Sequence, residues 1–343
     1  MPIEVFDAAA PDAVYDFLDE RIGRRGRDHW AWKYRFHDSS QPNAFYWRGD
    51  DGAVLGFIGM MRTRLHGADG ASWPAAWFVD WQVIPGDRGV GVGMGLLRKA
   101  EAAAGILLTL QGSEDTRKML PRLGWKESLR PATWVRPLSG HYVADWTRRR
   151  GSRDIGAPIV MVAAAAALSL MEWRHTNSAS FGFRNVESVP EQHDEVWQRR
   201  SAELAPLMTR DRLCLDWFCC RYPGRGYRIT MLENYGAPAG HLVTRIDRDA
   251  GGMLRGRIVD LVWPHAQPQW LEDGLALACR QLREGGADYV QCVSSRPELD
   301  VALGNQYFRR RKLVPLWYHR LPDGAPHPDS WLVSLLDCDR AYR

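Results

Sequence analysis

Residues Phe78 to Arg98 read FVDWQVIPGDRGVGVGMGLLR. The first seven, Phe78 to Ile84, are β-branched and aromatic and have the length of a strand. Pro85 and Gly86 end it, because proline cannot donate to a ladder and glycine frees the turn. Beyond a glycine-spaced loop, Val90, Met94, Leu97 and Ala104 recur at helical spacing. The order strand, glycine turn, helix aims the turn's N–H groups and the positive end of the helix dipole at one point. Such a point suits an anion. Gly91 and Gly93 let the backbone approach phosphate oxygens, and Arg88 adds a fixed positive charge.

Composition bounds the rest. The chain has 343 residues, 45% apolar and 25% charged, which fits a folded chain with room for two cores. A net charge of +4 is too weak to argue for a nucleic-acid partner. Short basic clusters at Arg21 to Arg27, Arg148 to Arg150 and Arg309 to Lys312 read as solvated faces. All six cysteines follow residue 200 without CxxC spacing, and the N-terminus has neither a basic nor an apolar region of a signal peptide. A reduced, cytoplasmic protein is expected. His29, His37 and His141 lack ligand spacing, so no metal is implied. Ile155 to Met171 carries no charge but is built largely on alanine and is short for a membrane span; it reads as a bridging helix.

Outward from the opening stretch, strands are expected at "IEVFD", Ala44 to Trp47, Val54 to Thr63, Ile106 to Leu110 and Thr133 to Arg136. Val14, Phe17, Leu18 and Ile22 form one helical face, and Ser113 caps a further helix that carries Glu114 and Asp115 in its first turn. The plan then recurs. "LDWFCCRYP" echoes "AWKYRF", "VDLVWP" echoes "VDWQVIP", and "NQYF" echoes "RLGW". Trp217 follows Trp32 by 185 residues, Asp260 follows Asp80 by 180, and Phe308 follows Trp125 by 183. Three ordered matches at nearly one offset argue for duplication. The second copy has "PHAQPQW" in place of the glycine loop, and prolines supply no N–H for a phosphate.

Arg88-x-x-Gly91-x-Gly93 resembles the pyrophosphate loop of the GNAT acyltransferase superfamily, and Leu123-Gly124-Trp125 resembles that family's closing Leu-Gly-Phe. The resemblance implies an α/β (α+β) fold of two tandem domains, each a mixed, largely antiparallel twisted sheet flanked by helices. Residues 1–140 would form the domain with the acyl-CoA loop, 141–180 a linker with the alanine-rich helix, and 181–343 a second domain with a degenerate loop. It further implies acetyl-CoA or another acyl-CoA as donor and a small-molecule amine or amino sugar as acceptor, as in bacterial exopolysaccharide-associated members. Two other readings stand beside it: a non-catalytic tandem binding module, and a FemAB-like transferase fed by aminoacyl-tRNA.

By that resemblance Val83, Ile84, Arg88, Gly89, Val90, Gly91, Val92 and Gly93 hold the cofactor, with the N–H of Val83 or Ile84 facing the thioester carbonyl. Asp80 stands where the family often has its base; the other reading of Asp80 is a structural carboxylate, which the recurrence of Asp260 favours. Gln82, on the face of Asp80, and Trp32 and Tyr34 are candidates for the acceptor side, although core packing suits both aromatics. The family's acid is a tyrosine at the position of Leu120, so the acid departs from the pattern.

Overall fold

The computed structural model describes residues 2–7, 9–35, 41–87, 91–128, 130–149, 180–224 and 226–342. The expected bridging helix at 155–171 lies outside the described residues, as do Arg88, Gly89 and Val90.

The first half runs β1 (Ile3–Val5), α1 (Asp12–Arg21), α2 (Arg27–Tyr34), β2 (Ala44–Arg48), β3 (Val54–His66), β4 (Ser72–Val83), α3 (Val92–Ala103), β5 (Ile106–Leu110), α4 (Glu114–Met119), β6 (Lys126–Ser128), β7 (Ala132–Pro137) and α5 (Gly140–Arg149). The second runs β8 (Gly182–Val186), α6 (His193–Leu204), β9 (Leu207–Met208), α7 (Arg212–Leu215), β10 (Tyr227–Asn234), β11 (Ala237–Arg248), β12 (Leu254–Val262), α8 (Pro268–Glu284), β13 (Tyr289–Ser294), α9 (Pro297–Asn305), β14 (Arg309–Leu313) and β15 (Leu316–His319). The aromatic-basic segment at Trp30 to Tyr34 is helical, with Trp30, Trp32 and Tyr34 buried.

Two mixed sheets form the molecule, in the orders β1-β2-β3-β4-β5-β15-β6 and β14-β7-β13-β12-β11-β10-β8. They exchange strands. β7, expected as the last strand of the first sheet, lies between β14 and β13 of the second, while β15 from the C-terminal end fills the gap between β5 and β6. A cut at residue 140 therefore leaves each sheet with a strand from the other half.

The duplication is visible in both central strands. In the first sheet Phe57 pairs with Gln82 and Gly59 with Val79, so Ile58 faces two residues, Asp80 and Trp81. In the second, Val243 pairs with Asp260 and Thr244 with Ile258, leaving Val259 over. Each is a β-bulge at the sequence Val-Asp, and a bulge bends its strand and sharpens the twist. β4 accordingly pairs with β5 only from Ala75 to Trp77, and β12 with β13 only from Arg255 to Arg257. Past those points the parallel neighbours part.

The bulge also resets which face each side chain takes. Phe78 and Trp81 stay together at 5.9 Å on the face covered by α3, where Ile58, Met60, Val92, Leu96 and Leu97 are buried. Val79 and Asp80, consecutive in sequence, both turn to the opposite face, where Tyr34, Phe57, Val243 and Val259 share one core. That core joins the halves. In it the Trp32 indole donates to the carbonyl of Trp217 at 3.0 Å, and its ring meets Phe218, Tyr222 and Tyr342 edge-on. The two tryptophans paired by the sequence repeat thus touch across the pseudo-symmetric centre.

His29 lies against this core. Burial first, then the nearby charges of Lys33 and Arg25, pulls its pKa from 6.5 to about 4. A histidine that binds its proton less tightly when folded withdraws stability as pH falls from 6.5 through the folded value. Lowering the pH from 7 to 4 is therefore expected to cost about 3 kcal/mol through this group. Urea unfolding of His29→Gln against the parent at several pH values checks it, since the variant should lose less stability over that window.

Candidate functional site

Asp80 takes a left-handed backbone conformation, φ 52°, which aspartate tolerates better than most residues. Its side chain is fully shielded from solvent. One oxygen, Oδ2, accepts from both the Lys33 ammonium and the Tyr34 hydroxyl. Lys33 also reaches Asp339 near the C-terminus at 3.2 Å. Gly59 permits this arrangement, because a Cβ there would lie 2.2 Å from the Tyr34 ring.

The second half repeats the motif with other residues. Asp260 accepts from Arg210 at 3.1 Å and pairs with His241 at 2.9 Å, and His241 in turn meets His193 at 3.0 Å. Arg210 also holds Asp337. Burial would raise the pKa of Asp260, but Arg210 and His241 override it and hold the carboxylate well below its ordinary range. Burial, then the proximity of His241, pushes His193 down to about 3, so this imidazole is neutral. The C-terminal segment therefore gives one acid to each bulge: Asp339 to the Lys33–Asp80 pair, Asp337 to the Arg210–Asp260 pair. Neither acid stood out in the sequence, since their partners lie 306 and 127 residues away.

Of the residues expected on the acceptor side, Trp32 and Tyr34 are core. Both are under 8% exposed, one locked to Trp217 and the other to Asp80. The sheet's face explains it: the aromatic side of α2 is what fills the seam between the halves. Gln82 is half-buried and lies opposite Phe57, on the face of Asp80 as expected.

On the cofactor side, the backbone of Ile84 is already used, since its N–H donates to Leu55 at 2.9 Å. That corrects the expectation for Ile84. In an antiparallel ladder, successive N–H groups point to opposite edges. Val83, one residue earlier, therefore aims its N–H away from β3 and into the gap between β4 and β5. Gly91 stands at the N-cap of α3 with φ 87°; among the described residues no side chain caps the helix there, and none lies within 4 Å of where its Cβ would be. The first N–H groups of a helix lack intrahelical partners, so a start with no side-chain cap among the described residues can still bind an anion. Gly93 has a packing role as well: a Cβ there would sit 3.1 Å from Val83, and its carbonyl accepts from the Trp81 indole at 3.2 Å. Val92 is buried beneath the helix, so only its backbone faces the turn.

The matching turn of the second half is occupied from within. The N–H of His265 donates to the Glu203 carboxylate at 3.1 Å, and α8 starts on Pro268. Leu120 is fully buried, so no hydroxyl stands at the position where the resemblance implies an acid. Ser113 caps α4 by accepting from the Thr116 N–H at 3.1 Å.

A cavity of about 420 Å³ opens on the face opposite α3. Met61, Trp77 and Phe218 form its apolar lining, and Arg64, Thr209 and Asp337 bring polar groups from both halves. Trp77 is also the last residue of β4 paired to β5. On the first sheet the cavity is lined from Met61 to His66 of β3 and by Trp77 of β4, the stretch where β4 is still paired to β5, while α3 covers the other face. Among the described residues no cluster of side chains is arranged for a metal, and no helix is long and apolar enough to cross a membrane.

No family model matches this sequence, and no curated protein does. Solved structures do. A GCN5-related N-acetyltransferase from Anabaena variabilis superposes with a TM-score of 0.61 over 92% of this chain and 72% of its own, at 14% identity. The N-myristoyltransferase of Saccharomyces cerevisiae, solved with myristoyl-CoA bound, gives a TM-score of 0.63 over 98% of this chain and 82% of its own, at 13% identity. With its two bulged central strands and their parted parallel neighbours, this chain has a GNAT-like fold, shared with these two acyltransferases.

Proposed function

We propose that the chain transfers an acyl group from an acyl-CoA, with acetyl-CoA the simplest donor, to the amine of a small molecule such as an amino sugar. The gap between β4 and β5, with the Val83 N–H aimed into it, is the observation that carries this reading. The uncapped turn at Gly91 supports it from the phosphate side, together with Arg88, Gly89 and Val90 by sequence. The coenzyme supplies a thioester, an acyl group already activated toward an amine. Val83 would donate to the oxygen that gains negative charge as the amine adds, an effect strongest where water is excluded.

Asp80 acts in this proposal as a positioning residue. Two donors already occupy its Oδ2 and solvent does not reach it, so its work is to hold the bulge that parts the strands. The acceptor would approach β4 on the face away from α3, where Gln82 is the polar side chain nearest the gap along the strand. The turn at His265, closed by Glu203, supports a single coenzyme site.

Thiol release from acetyl-CoA and longer acyl-CoAs, followed with a panel of primary amines, tests the proposal. Amine-dependent release is expected. Stabilisation by coenzyme without release under any amine would make the chain a binding module. No response to any acyl-CoA would leave the aminoacyl-tRNA donor.

A further inference from the structure

β14, Arg309–Leu313, is the edge strand of the second sheet, and all five of its residues are exposed. Four in succession are basic: Arg309, Arg310, Arg311 and Lys312. Among the described residues none of the four is joined to a carboxylate. Between Arg310 and Lys312 the register on β7 shifts, so Arg311 bulges out of the ladder. Its guanidinium lies 5.7 Å over the ring of Trp146 on α5, a tryptophan left 36% exposed. Leu313, at the end of the strand, is 43% exposed. A charge on an edge strand also discourages strand addition. One or two charges do that; four in a row beside an exposed indole exceed it.

We propose that this edge docks the protein on an anionic phospholipid surface. Arginine and lysine give electrostatic attraction to the headgroups, and tryptophan with leucine provides the amphipathic and apolar contacts that settle at the boundary of headgroup and acyl chain. Trp146 and the exposed aliphatic Leu313 beside the charges favour lipid over nucleic acid as the polyanion. The attachment is peripheral, and it does not depend on the acyl-transfer reading.

Sedimentation of the full chain with vesicles tests it. The chain should pellet with vesicles containing phosphatidylglycerol, remain in solution with phosphatidylcholine alone, and leave the anionic vesicles as salt rises. Arg310→Gln with Arg311→Gln should weaken binding about thirtyfold, from two charges lost near the surface. Trp146→Ala should weaken it while leaving the salt dependence. All three side chains reach the surface, and a thermal melt checks that each variant is folded. Equal pelleting with both vesicle types, pelleting with neither, or binding by the arginine variant at the parent's level would overturn the proposal. So would tight binding of single-stranded RNA without vesicle binding.

Discussion

Lys33→Met is expected to lower the free energy of unfolding by about 3–5 kcal/mol, the cost typical of removing one member of a buried ion pair. Lys33 is 3% exposed and lies between Asp80 and Asp339, whose side chains are 0% and 5% exposed. Methionine keeps much of the volume but leaves both carboxylates without the ammonium between them. An exposed pair gives the scale for comparison. Glu114 and Lys118, four residues apart on α4, have side chains 72% and 67% exposed, and breaking that pair should cost about 0.3–0.5 kcal/mol. Urea unfolding of Lys33→Met beside Lys118→Met separates the cases. A Lys33→Met cost under about 1 kcal/mol would show that the cluster does not hold the centre of the fold. Because Lys33 is one of the donors to Asp80 at its left-handed position, the variant should also weaken the bulge.

Gly91→Val is expected to raise the KM for acyl-CoA about tenfold or more while leaving the protein folded. A left-handed backbone costs an ordinary residue roughly 1–2 kcal/mol, and about 1.4 kcal/mol is a factor of ten in binding. Among the described residues no atom lies within 4 Å of the missing Cβ of Gly91, so the damage is expected in the turn's conformation and not in packing. Gly95→Ala is the contrasting variant. Its Cβ would lie 2.3 Å from the Trp47 ring, so it should cost stability without a specific effect on the coenzyme. If the two variants changed KM alike, the turn at Gly91 would have no special part in binding.

Much of this architecture is written locally in the chain. Strand β4, the glycine turn and α3 follow from periodicity and turn chemistry, which depend on near neighbours. The repeat shows itself because Val79-Asp80 and Val259-Asp260 serve the same bulge in each copy. The rest depends on contacts far apart in sequence. The exchange of β7 and β15 cannot be read from either strand, since each has the pattern of an ordinary half-buried strand. The resemblance pointed to Ile84 as readily as to Val83; the ladder gives the Ile84 N–H to Leu55, a contact no local pattern announces, and Val83 is the one proposed. Trp32 and Tyr34 have the composition of a ligand platform, yet Trp32 is covered by the second half, 185 residues away, and Tyr34 by Phe6, Phe57 and Asp80 of its own half. Lys33 reads as part of a basic-aromatic segment, and nothing near it in sequence announces Asp339.

Titration of acetyl-CoA into the purified 343-residue chain, followed by calorimetry, tests the central claim most directly. The account predicts saturable binding of one coenzyme per chain, weakened in Gly91→Val and unchanged when Glu203, at the closed second turn, becomes alanine. No heat of binding at millimolar coenzyme, or two equivalent sites per chain, would contradict it.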